Sequence, residues 1–170
     1  LLIYSDRIEK YLPPRKGKSH VLRLVRDILY YRPEGHRTNL RSALERLYKI
    51  LTRSAVIFVI SDFLDSGYEK ALKILNQKHD LIAIQVKDPR ESSLAPCGWM
   101  AFKDGETEEQ ILVNTNRQTF RQHYHEAAGR RQTQLDHLFR LLGIDTIQIV
   151  GGDSYVGPLI RFFRSREERA

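Results

Sequence analysis

One cysteine, one methionine and one tryptophan are all that 170 residues contain of those three types. A lone Cys97 forms neither an intrachain disulfide nor a multi-cysteine zinc site, and it fits a reducing compartment, so a cytoplasmic protein is expected. Long apolar runs are also missing. The longest, Ala55-Val56-Ile57-Phe58-Val59-Ile60, is far short of the roughly 20 residues that span a bilayer. Leu1-Leu2-Ile3-Tyr4 has no basic leader and is followed at once by charge, unlike a secretory signal. No G-x-S-x-G elbow, Walker A loop or dinucleotide fingerprint occurs; Gly151-Gly152 stands isolated. His123 and His125 are two apart in a helical segment and do not share a face, while His20, His36, His79 and His137 are scattered. Nucleophilic and histidine-based chemistry therefore have no support here, and the chain is expected not to be an enzyme.

What is present is an ordinary globular composition, 41% hydrophobic and 29% charged. At this length it is expected to form a single domain with a sizeable core. The net charge is +7 and unevenly placed: residues 1–54 hold 13 Lys+Arg against 5 Asp+Glu, the remainder 15 against 16. The basic stretch Pro13-Pro14-Arg15-Lys16-Gly17-Lys18 suits phosphate, so a nucleic-acid-binding domain is one rival reading. Charge alone points first to a solvated basic face. A metal-dependent phosphatase is a weaker rival: Asp62 and Asp65 follow an apolar strand, but haloacid-dehalogenase enzymes carry two aspartates two apart, which this spacing does not match.

The chain's periodicity alternates between short apolar runs and helical stripes. Leu1–Tyr4 and Glu9–Leu12 read as extended, the second ending at Pro13-Pro14 as a sheet edge would. Ser19 is expected to cap a helix burying Val21, Leu22, Leu24, Val25, Ile28 and Leu29, and Pro33-Glu34-Gly35 to break it. Thr38-Asn39 caps a cleaner helix with Leu40, Ala43, Leu44, Leu47 and Leu51 on one stripe. Residues 55–60 predict a strand buried on both faces, 67–79 a helix and 81–86 another buried strand. Residues 99–103 and 110–114, flanking Asp104-Gly105-Glu106, predict a hairpin added to the sheet. A helix over 117–142 stopped by Gly143, a strand over 146–150 and a helix over 154–166 complete the chain. Strands at 1–4, 55–60, 81–86 and 146–150 are expected to be parallel in one sheet with helices on both faces, a Rossmann-like α/β architecture.

In open α/β sheets ligands bind beyond the carboxyl ends of the strands. That rule selects Ser5-Asp6, Ser61-Asp62 with Asp65, Asp88, and the loop Gly35-His36-Arg37-Thr38-Asn39. Hydroxyls and carboxylates there suit a hard divalent cation. The plainer reading is that Thr38 and Asn39 cap a helix and Asp62 ends a strand.

The segments Ser5-Asp6-Arg7-Ile8-Glu9-Lys10-Tyr11-Leu12-Pro13-Pro14-Arg15-Lys16-Gly17, Gly35-His36-Arg37-Thr38-Asn39-Leu40, Val59-Ile60-Ser61-Asp62-Phe63-Leu64-Asp65, Val86-Lys87-Asp88-Pro89-Arg90-Glu91 and Pro158-Leu159-Ile160-Arg161-Phe162-Phe163, in that order, resemble the bacterial domain-of-unknown-function family fifty-eight. That family is similar to von Willebrand factor A domains, parallel α/β sheets with a metal-ion-dependent adhesion site. The resemblance implies metal-holding roles for Thr38 and Asp62, with Ser61 adjacent, and Mg²⁺ as the ion in a longer protein. It also implies a protein-interaction role with a MoxR-type AAA+ ATPase as partner. The A-domain site uses an Asp-x-Ser-x-Ser loop as well, and none occurs in these 170 residues. The expectation is therefore a chain lacking the first strand and helix of the fold, with an incomplete site, little affinity for Mg²⁺ by itself and an open sheet edge prone to self-association.

Overall fold

Parallel strands need a crossover, whereas three residues between two strands allow only a hairpin, and the computed structural model contains both kinds of pairing. The structure describes residues 1–35, 37–103 and 110–169. They divide into two compact units, one of residues 1–52 and 65–75, the other of residues 53–64, 76–103 and 110–169.

In the first unit β1 (Leu2–Tyr4) and β2 (Ile8–Tyr11) pair antiparallel, with Leu2 opposite Tyr11. The expectation that residues 1–4 run parallel within the main sheet is corrected: β1 belongs to a two-stranded sheet with β2. The turn Ser5–Arg7, closed by Ser5 N–H donating to the Arg7 carbonyl at 2.9 Å, is too short for any other geometry. Helix α1 (Lys18–Tyr30) starts at Gly17 without a side-chain cap, so Ser19 is not the cap. Its buried residue is Asp27, beside half-buried His20 and Leu24. Val21, Leu22, Val25, Ile28 and Leu29, expected inward, are exposed. The seam is set by charge: Lys10 lies 3.1 Å from Asp27, with Arg23 and Arg26 also in range, and these cations hold the carboxyl below its ordinary value, Lys10 foremost. Helix α2 (Leu40–Ile50) buries Leu40, Ala43 and Leu44 as its stripe predicts. Helix α3 (Glu69–Asn76), shorter than expected, buries Ala71, Leu72 and Leu75.

The second unit is built on a parallel sheet in the order β3 (Val56–Ser61), β4 (Asp80–Lys87), β7 (Asp145–Val150). A separate antiparallel pair, β5 (Trp99–Lys103) and β6 (Gln110–Asn114), forms the hairpin. It is not an addition to the parallel sheet, and its expected turn, Asp104-Gly105-Glu106, lies outside the described residues. Helix α4 (Gln118–Leu142) ends at Gly143, whose φ of 66° is the left-handed cap that glycine adopts without strain. Helix α5 (Val156–Glu167) completes the unit. The two helices take opposite faces of the sheet. Leu159 and Phe162 of α5 pack on Ile82, Ile84 and Ile147, while Gln132 of α4 exchanges hydrogen bonds with Gln85 on the other face. The fold class is α/β, as expected. Strand β4, central, is buried on both faces; β3, at the edge, is not. Ile57 and Val59 are covered and Val56, Phe58 and Ile60 are open, which corrects the expectation for residues 55–60. No helix among the described residues is long and apolar enough to cross a membrane.

Candidate functional site

Glu9 organises the loops of the first unit. Its side chain is 3% exposed, and its carboxylate accepts from the Gly35 amide at 2.9 Å and the Tyr31 hydroxyl at 3.0 Å. Ser5 Oγ lies 2.5 Å from Glu9 Oε1 and 2.9 Å from Asp6 Oδ1; with one proton to give, it donates over the shorter contact to Glu9. The bond from Ser5, then that from Gly35, holds the Glu9 carboxyl down to about 2 from its ordinary 4.5, against the opposing push of burial. Burial and the nearby Glu9 carboxylate push the Tyr31 phenol up. Gly35 is required for closeness: a Cβ there would overlap Ser5 Oγ and Asp6 Oδ1 and press on Ser5 Cβ. Gly35→Ala is therefore expected to displace Ser5 from Glu9 and cost about 1–3 kcal/mol, as overpacking does. A thermal melt checks this, and a midpoint equal to wild type would refute it.

The start of α2 is anchored twice in the same unit. The Asn39 amide donates to the Ser5 carbonyl at 2.8 Å, and Asn39 Oδ1 caps the helix by accepting from the Ser42 amide at 2.9 Å. Asp65 Oδ2 accepts from the Leu40 amide at 2.8 Å, and its Oδ1 from the Ser66 amide at 2.7 Å. Two acceptors thus satisfy donors that a helix start leaves orphaned, and the Asp65 charge sits at the positive end of the dipole. Thr38, one residue before the cap, is exposed and makes no hydrogen bond among the described residues; Asn39 takes the capping role that Thr38 was expected to share.

Asp62 stands in the second unit, one residue past the end of β3 and exposed. Its Oδ1 accepts from the Leu64 amide at 3.2 Å and lies 3.4 Å from Ser61 Oγ, which accepts from the Phe63 amide at 3.1 Å. Phe63 has φ of 58°, left-handed backbone that a bulky residue rarely adopts. Its ring, buried edge-on against Phe139 at 5.1 Å, holds the turn. Among the sequence candidates, then, Ser5, Asn39 and Asp65 are joined in one network, while Asp62 and Ser61 share a turn. Asp88 instead caps the short 3-10 turn Pro89–Glu91, its Oδ1 accepting from the Arg90 amide at 2.9 Å. His36 lies outside the described residues. Sequence reasoning missed Glu9 and Phe63. A lone acid in an otherwise extended segment was the only signal for Glu9, and for Phe63 there was none. Also missed was His79, buried with neither ring nitrogen hydrogen-bonded among the described residues, its pKa lowered mainly by that burial. Among the described residues no three His, Cys, Asp or Glu side chains gather as a metal-holding group.

The sequence profile of a family described as Protein of unknown function DUF58 matches residues 1–134. An uncharacterised protein of Mycobacterium avium is 26% identical over 162 residues, a match covering 94% of this chain and 95% of that protein. Uncharacterised proteins of Mycobacterium bovis and Mycobacterium tuberculosis are each 25% identical over 174 residues, covering 99% of this chain but 54% of their own length. The chain thus spans about half of these two longer relatives. No solved structure gives a significant match.

Proposed function

The chain belongs to the DUF58 family of proteins of unknown function, and from that premise we propose that it is a non-enzymatic, cytoplasmic protein-interaction module of von Willebrand A type whose binding loops carry Thr38 and Asp62. The observation that supports this most is the anchoring of the α2 start, which fixes Asn39 and Leu40 while the neighbouring Thr38 hydroxyl stays exposed at the positive end of a helix.

A hydroxyl and a carboxylate are hard oxygen donors of the kind Mg²⁺ takes, so the chemistry of Thr38 and Asp62 fits that ion, with Ser61 adjacent. When bound, the ion would supply a coordination position for an acidic group of the partner. Two protein donors are few for an ion that sheds water reluctantly. Titration calorimetry on this chain is therefore expected to show no saturable Mg²⁺ binding below about 1 mM. Tight stoichiometric binding would mean the site is elsewhere.

The partner that the family resemblance implies is a MoxR-type AAA+ ATPase. Binding of such a purified ATPase to the chain, with Mg²⁺ present, is expected to fall in Thr38→Ala and Asp62→Ala. Binding unchanged in both would remove these residues from the interface. Hydrolysis of a generic phosphate ester that disappears in Asp62→Ala would make the protein an enzyme instead.

A further inference from the structure

Strand β7 closes the order β3-β4-β7, so among the described residues it is bonded on its β4 side alone. The Gly151 amide donates to the Lys87 carbonyl at 2.8 Å, which turns the Gly151 backbone toward β4. Backbone direction alternates along a parallel ladder. Ile147 and Ile149 therefore also turn inward, while Thr146 and Gln148 point their N–H and C=O groups off the sheet. The Val150 carbonyl, aimed the same way, is taken by the Asp153 amide at 3.1 Å, and the open stretch ends there. Strand β7 carries neither proline nor lysine, residues that commonly blunt an exposed edge. This edge is walled on one side. Thr146 and Gln148 line a groove of about 470 Å³ with Pro158, Arg161, Phe162 and Ser165, which recur at helical spacing along one flank of α5. The opposite flank of the helix faces β3, where Phe163 meets Phe58. Arg161 is the one charged side chain that lines the groove, and no described acid pairs with its guanidinium.

We propose that this groove takes an extended acidic segment of a partner protein as an added strand, its backbone bonded to Thr146 and Gln148 and a carboxylate set on Arg161. Strand addition draws affinity from main-chain hydrogen bonds and specificity from alternate side chains. In such a strand, side chains two residues apart share a face and lie about 7 Å from each other. Those on the α5 side meet the helix flank: an apolar one packs on Pro158 and Phe162, and an acidic one reaches Arg161. Charge selects the occupant. The groove offers a cation and no carboxylate, so a segment bearing acids is its complement. A second copy of this chain is the poorer fit. Antiparallel pairing of two β7 edges about a two-fold axis sets the same flank of α5 against itself, cation toward cation. Neither Thr38 nor Asp62 borders the groove, so this surface is separate from the loops assigned above.

Fluorescence anisotropy with a dye-labelled, capped octapeptide tests it. The peptide carries threonine at odd positions and valine and glutamate in turn at even ones; a control peptide has lysine in place of glutamate. Wild type is expected to bind the glutamate peptide saturably below about 1 mM. It is expected to bind that peptide at least about tenfold tighter than the lysine peptide, because like charges at a contact are costly. Arg161→Glu is expected to reverse the preference. Thr146→Pro removes an amide that the β4–β7 ladder does not use, a change an edge strand tolerates, and is expected to weaken binding by about 2- to 10-fold. Arg15→Glu, in the basic first third and outside the groove, is expected to bind as wild type does. Absence of binding, no preference between the peptides, or a preference that survives Arg161→Glu overturns the proposal. So does an equal loss in Arg15→Glu, which would make the attraction one of net charge. Wild-type dimers that Thr146→Pro abolishes, seen by sedimentation velocity, would give the edge to a second copy and overturn it too. Circular dichroism checks folding, and if one groove variant misfolds, the other decides.

Discussion

Ile82→Ala is expected to destabilise the second unit by about 2–5 kcal/mol, the range for removing a buried isoleucine and leaving a cavity. Ile82 lies in the central strand, is buried, and packs with Ile84 and Ile147 under Leu159 and Phe162 of α5. The sheet is rigid on both sides of it, with Phe58 opposite in β3 and Asp145 opposite in β7, so little can collapse into the space. Ile60→Ala, in the edge strand opposite Ile84 and on the same face, is expected to change stability by less than about 0.5 kcal/mol, because that side chain is mostly in water. Urea unfolding followed by circular dichroism in dilute solution compares the two. Equal losses would mean that the covered and open parts of this sheet face have been confused.

Glu9→Gln is expected to flatten the acid limb of the stability curve. The wild-type carboxyl titrates near 2 in the folded chain against an ordinary 4.5. Its depressed folded value makes it a group whose contribution is fully present above pH 4.5. That contribution is lost as pH falls from 4.5 toward 2, since only the unfolded chain takes up the proton early in that window. Glutamine cannot titrate, and its amide supplies one acceptor where the carboxylate supplies two, so the variant is expected to be less stable at neutral pH and less sensitive to acid. His79 acts in a different window. Buried neutral, it contributes stability that is already declining as pH falls through 6.5, so wild type and variant both keep that part of the curve. Thermal midpoints from pH 7 to 2.5 check this. An acid limb as steep in Glu9→Gln as in wild type would show that the Ser5–Glu9–Gly35 network does not set the pKa. The same network predicts slower amide exchange at Gly35 in wild type than in the variant, measurable by hydrogen exchange.

The alternation of apolar runs and helical stripes determined the α/β class, because period and composition act locally. Residues 81–86 are aliphatic apart from Gln85 and do form the strand buried on both faces. Leu40, Ala43 and Leu44 recur at helical spacing and do face inward. Asn39 is a cap because its short side chain reaches the third amide of its own helix, and nothing distant is needed for that. The sequence also carried the family resemblance, since motifs at Ser5, Gly35, Val59 and Val86 are local strings. What it did not determine is which apolar residues find a cover. Residues 55–60 look as buried as 81–86, yet only tertiary structure makes one an edge and the other a centre, so Phe58 and Ile60 remain open. The helix at 18–30 looks ordinary in its spacing, but the ion pair of Lys10 with Asp27 turns a charged residue inward and five apolar ones outward. Glu9 gains its depressed pKa first from Ser5, four residues away, and then from Gly35 and Tyr31, more than twenty residues away. Burial and long-range pairing are properties of neighbours in space, and spacing along the chain records only neighbours in sequence.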